Sequence, residues 1–145
     1  MVAYSFQKRF VPYITSGLKP HTMRNVRTGR VPHVRPGQAM QLYTAMRTVH
    51  CKRIGDAVCA MVTPVTIIFH PKLYPSIDIE GRQSLQGAAL ESFCKSDGFP
   101  GGWLELAAFW HKEHGPDLTR WDGVLIEWVD FKSALTAPAI LPVEK

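Results

Sequence analysis

A chain of 145 residues and 16.3 kDa, 46% hydrophobic with a mean hydropathy of −0.07, has the length of one domain with room for a core. It holds no apolar run near the ~18 residues of a membrane span, and its three cysteines (Cys51, Cys59, Cys94) lack the C-x-x-C pairing of a zinc ribbon and the even count of a disulfide framework. Charge is the strongest signal: Met1 to Gly55 carries ten Lys or Arg and no acid, whereas Asp56 to Lys145 carries twelve acids and seven bases, so a +10 segment precedes a −5 one and a polyanionic partner is expected.

Taken in order, Ala3 to Gln7 reads as a short strand. Phe10, Tyr13 and Ile14 then fall at the i, i+3, i+4 spacing of one helix face, with Pro12 tolerated in the first turn and Gly17 supplying a left-handed stop. Pro20 holds Lys19 extended, and His21 to Val26 is expected to enter a sheet. Alternation along that strand puts Thr22 and Arg24 on one face, which Lys19 joins if the chain bends at Pro20. Asn25 to Gly37 is a loop rich in Arg, Gly, Pro and His, and Gln38 to Tyr43 alternates as a strand.

A β-rich run follows, read as one or two buried strands over Asp56 to Val65 and Thr66 to Phe69. Ser76 to Glu80 alternates as a half-exposed strand would, and Gly81 ends it. Leu85 to Cys94 fits a short helix with Leu85, Ala89, Leu90 and Phe93 inward. Trp103 to His114, stopped by Gly115-Pro116, is the best helix of the chain. Trp121-Asp122-Gly123 reads as a turn into the strongest strand, Val124 to Phe131, and the tail from Lys132 on is an irregular extension. The four tryptophans sit among apolar neighbours, and core packing is expected for most of them.

Strands that outnumber helices, with a helix pair before the final strand, give an α+β fold over residues 1–131 and a C-terminal extension over 132–145. The N-terminus shows no charged-then-apolar leader pattern, so the expected location is the cytoplasm, with no membrane partner. No cofactor fingerprint is present. His50-Cys51 and the pair His111 and His114 are the only metal-like fragments, and neither spacing makes a metal site. The sequence specifies no oligomeric state.

Several motifs together resemble the ASCH domain of the PUA-like superfamily: Lys8-Arg9-Phe10-Val11, then Gly17-x-Lys19-x-x-Thr22-x-Arg24, Pro36-Gly37 before a strand, Asp97-Gly98-Phe99 before a helix ending in Phe109-Trp110, and Gly123-Val124-Leu125-Ile126 with Trp128. The resemblance covers roughly residues 3–131. It implies a PUA-like mixed β-barrel with flanking helices, a basic cleft, and RNA or a modified nucleoside as the ligand. Arg9, Arg24, Arg27, Arg30, Arg35 and Arg47 are the candidate phosphate contacts, and Tyr43 is a candidate for stacking on a base. Some ASCH proteins are similar to amidohydrolases of N-acylated cytidine, and their lysine, threonine and acid match Lys19, Thr22 and Asp97 by position, with Asp here where those carry Glu. The alternative function is therefore a hydrolase of such nucleosides, or a ribonuclease. In it Lys19 takes the proton of the Thr22 hydroxyl, Arg9 and Arg24 favour the neutral amine, and Asp97 orients the lysine or donates a proton.

Overall fold

The computed structural model describes residues 1–70 and 74–135, an α+β arrangement of six strands and three short helices among those residues. In chain order these are β1 (Val2–Phe6), a 3-10 turn (Lys8–Phe10), α1 (Val11–Thr15), β2 (His21–Arg24), β3 (Ala39–Thr44), β4 (Lys52–Ile68), β5 (Ser76–Ile79), α2 (Gly87–Ser96), α3 (Trp103–His114) and β6 (Arg120–Ser133). The strands form one mixed sheet in the order β1-β3-β4-β6-β2, with β5 also paired to β4. β1 runs parallel to β3, and β4 runs antiparallel to both β3 and β5. β1 and β2 end this path, and no pairing joins them among the described residues. No helix among those residues is long and apolar enough to cross a membrane.

The run from Asp56 to Phe69, read as one or two strands, belongs to a single strand of 17 residues, Lys52–Ile68. Pro64 does not interrupt it, because it falls between the part of β4 paired to β3 (Lys52–Val58) and the part paired to β5 (Val65–Ile68). Neither of those ladders asks it for an N–H. Its carbonyl still accepts the Glu80 N–H at 3.0 Å.

Contacts divide the chain into two units, Met1–His21, Arg27–Val62 and Ile126–Lys145 in the first, Thr22–Val26 and Thr63–Leu125 in the second. In the first unit Tyr4, Phe6, Phe10, Ile14, Met40 and Leu42 are buried, with Trp128 edge-on to Phe6 at 6.0 Å between centroids. Gly55 sits opposite Leu42 at the bulge where the β3–β4 register shifts between Leu42 and Tyr43. A side chain there would meet the Lys132 carbonyl and the Phe131 ring.

In the second unit Trp110 and Trp121 meet edge to face at 5.3 Å, and Leu90, Cys94, Phe99 and Leu106 are buried, as are the strand residues Ile67 and Ile77. Three expectations fail here. α2 begins at Gly87, and Leu85 instead bridges to Ile77 through two backbone bonds, 2.9 and 3.1 Å. Ala89 is exposed and Cys94 takes the inward place. β5 keeps the expected alternation, with Ile77 and Ile79 buried, Asp78 half-buried and Glu80 exposed, and only Ser76, itself buried, departs from it. Trp121 to Gly123, read as a turn, lies inside β6.

The inward turn of Cys94 has a measurable consequence. Burial, then the nearby Asp97 and Glu91 carboxylates, push its thiol from an ordinary 9.0 up to about 12. A folded thiol that resists ionisation contributes nothing at neutral pH; as pH climbs from 9.0 towards 12 the unfolded chain alone can shed the proton, and stability falls. Cys94→Ala should therefore lose less stability than the parent between those two pH values, read from urea midpoints, and equal losses would contradict the burial argument.

Candidate functional site

Six polar or charged residues among those described are buried: Lys19, His21, Thr22, Thr63, Ser76 and Asp97. The three residues matched to lysine, threonine and acid roles are all in that small set, Lys19 in the first unit, Thr22 and Asp97 in the second. Burial of such groups is costly unless they are held by partners, so each place is built rather than incidental.

Lys19 is placed by clamps on both sides of it. α1 is a short helix with Pro12 in its first turn and the Thr15 hydroxyl donating back to Val11 O at 3.1 Å. Gly17 turns the chain at φ 86°, where a side chain is strained. The Lys19 N–H then donates to Tyr13 O at 2.8 Å, and Pro20 O accepts the Trp128 N–H at 3.0 Å. With its backbone fixed at both ends, Lys19 lays its ammonium over the Phe10 ring at 5.0 Å and towards Phe6 at 6.0 Å, and is left 3% exposed. Arg9 shares the Phe10 ring, its guanidinium 5.1 Å from the centroid. Ring faces stabilise the charged amine. Burial acts in the opposite sense and penalises the charge.

Thr22 and Arg24 do share a face of β2: the Arg24 Nε donates to Thr22 Oγ1 at 3.3 Å. A fixed cation beside that oxygen favours negative charge on it and also suits contact with an anionic group. Asp97 ends α2, its N–H bonded to Phe93 O at 2.9 Å, and Gly98 follows at φ 96°. It closes a helix at its C-terminus, where the dipole disfavours a carboxylate, and is 2% exposed.

Among the candidate phosphate contacts, Arg9, Arg30, Arg35 and Arg47 are exposed, Arg47 in a left-handed conformation at φ 66°. Arg24 is engaged with Thr22. Arg27 behaves differently from its neighbours, with its guanidinium 4.8 Å over the Tyr4 ring and an N–H to Pro32 O at 3.2 Å. Tyr43 is half-buried and donates to Gln41 Oε1 at 3.4 Å.

Sequence reasoning passed over Tyr4, which organises the arginine loop. Its ring lies under Arg27 and stacks with His33 at 5.8 Å, its hydroxyl meets His33 Nδ1 at 2.8 Å, and that same oxygen accepts the Val34 N–H at 3.1 Å. Alternation in β1 marks Tyr4 as inward, but nothing local signals its partners some thirty residues on. Tyr4→Phe deprives a buried N–H of its acceptor and should cost about 1–3 kcal/mol. Trypsin should then cut after Arg30 several-fold faster; an unchanged rate would mean that the loop is held by other means.

No protein-family model matches the sequence, and no curated protein or solved structure matches it significantly. The likeness to ASCH domains is thus carried by the motif residues themselves.

Charge follows the division into units. The first carries eleven Lys or Arg against four Asp or Glu, a formal +7, and the second six against eight, −2. No group of three His, Cys, Asp or Glu among the described residues is placed to hold a metal ion. His111 Nε2 lies 3.0 Å from Leu118 O, and His50 and Cys51 are exposed. A cavity of about 470 Å³ opens in the second unit beside Tyr74, Leu90 and Trp103, and none of Lys19, Thr22 and Asp97 lines it.

Proposed function

We propose that this chain is an ASCH-type domain of the PUA-like superfamily, its sheet the counterpart of that superfamily's mixed barrel, and that it binds RNA or a modified nucleoside through its first unit. The observation that carries the reading is the +7 charge of that unit, with Arg9, Arg30, Arg35 and Arg47 exposed on it. Exposed guanidinium groups with few acids among them attract phosphates and release counterions on contact. Residues 1–131 form the domain in this reading, although β6 runs on to Ser133 and the Ala134 N–H still donates to Ile54 O at 2.8 Å.

The hydrolase alternative has one observation in its favour, the guanidinium of Arg24 beside the Thr22 hydroxyl. Attack by that hydroxyl on an acyl carbon also needs a neutral amine to take its proton. The Phe6 and Phe10 rings attract the ammonium of Lys19 while its burial penalises the same charge, so the lysine does not decide between the readings, and the binding reading is preferred on the exposed arginines of the first unit.

Single-stranded RNA is the probe. With four exposed arginines on phosphates, log K should fall with log salt at a slope of about −3, since each single-strand contact contributes about −0.7. Fluorescence anisotropy across a salt series reads the slope, and a value flatter than about −1 would remove the reading.

A further inference from the structure

The cavity in the second unit is used by neither reading above. It holds about 470 Å³, within the range of roughly 300–1,000 Å³ that small-ligand sites occupy, and is lined by Tyr74, Pro75, Gln86, Leu90, Glu91 and Trp103, with Gly87 at the start of α2. Leu90 and Pro75 give it an apolar surface, and two aromatic rings stand in its wall. Tyr74 is 86% exposed, so its ring is open to a stacking partner.

Glu91 is the one carboxylate in that lining. Its Oε1 accepts the Trp103 N–H at 3.0 Å, the first backbone donor of α3, so the carboxylate is aimed by the helix end. Gly102 makes this approach possible, since a side chain there would strike the same oxygen. Oε2 takes no hydrogen bond among the described residues. A fixed carboxylate beside stacking surfaces accepts two parallel N–H groups from a flat ring.

Among the common bases, guanine alone presents two adjacent N–H donors on its pairing edge. Adenine and cytosine set one donor beside an acceptor, and uracil sets one donor between two acceptors, each placing a lone pair against the carboxylate. The −2 charge of this unit also favours an uncharged ring over a phosphate. We propose that this cavity is a base pocket that selects guanine, stacking it on Tyr74 and Trp103 while Glu91 holds its N1–H and N2–H. This inference does not depend on the charge of the first unit.

Titration calorimetry with guanosine, adenosine, cytidine and uridine tests it on the whole chain. Guanosine should bind at least about tenfold more tightly than the other three, the worth of a good bidentate pair. Glu91→Gln keeps an oxygen for the Trp103 N–H but puts a donor against the base, and should erase that preference while leaving the unfolding midpoint nearly unchanged. Tyr74→Ala, at an exposed position, should weaken all four nucleosides by about tenfold through lost stacking. Equal binding of the four, no binding, or a preference that survives Glu91→Gln would overturn the assignment.

An oligo-U strand with and without one central G separates the two sources of guanine. A gain with G that Glu91→Gln abolishes assigns the pocket to a base within RNA; guanosine binding without that gain assigns it to the free nucleoside. A missing salt slope with guanosine still bound would defeat the RNA reading and leave this one intact, and the reverse pattern would do the opposite.

Discussion

Replacing Gly123 by alanine is expected to destabilise the second unit by about 3 kcal/mol or more, among the largest effects of any single methyl in this chain. A Cβ built at that position lies 2.4 Å from the Arg24 carbonyl oxygen and 2.3 Å from the Trp121 ring. Neither neighbour can yield cheaply. The carbonyl is backbone of β2, and the ring is buried, with its indole N–H bonded to Asn25 Oδ1 at 3.0 Å. Trp121 and Gly123 lie on the same face of β6, so the ring crosses the space that the missing side chain leaves. The result would be a lower urea midpoint with an unchanged slope, because the surface exposed on unfolding stays the same. Gly55→Ala tests the same physics in the first unit, where the Lys132 carbonyl would lie 2.3 Å from the new carbon. A loss below about 1 kcal/mol at either position would mean that the strands separate more easily than this packing implies.

These glycines show why some of the fold could be read from sequence and some could not. The segment around α1 was legible because its rules are local: Pro12 in a first turn, Gly17 at positive φ, and alternation that joins Arg24 to Thr22. Asp122-Gly123 follows the same local logic towards a turn, yet the glycine is there for the close approach of β2, a partner about a hundred residues earlier. Arg27 was grouped with its exposed neighbours because the ring it rests on, Tyr4, lies far away in the chain. The motif of lysine, threonine and acid marked three buried polar residues, but the rings against which the Lys19 ammonium lies are visible only once Phe6 and Phe10 come together around it.

Charge reversal at Arg30, Arg35 and Arg47 is the second large effect. Each of these side chains is exposed, so glutamate in its place disturbs little of the fold, and surface changes of this kind usually stay within about 0.5 kcal/mol of the parent. For RNA the change is far greater. Three attractive contacts disappear and three repulsive charges take their place, lowering the formal charge of the first unit from +7 by six. Affinity for single-stranded RNA at low salt should drop by roughly two orders of magnitude or more, and the salt slope should lose about two of its three units. Reversing Arg82, Lys95 and Lys112, exposed bases of the second unit, changes the net charge equally and serves as the control. If binding follows overall charge, both triple variants weaken RNA alike. If it follows the placement of guanidinium groups on the first unit, the control should fall by no more than about threefold, and the gap should narrow as added salt screens both sets.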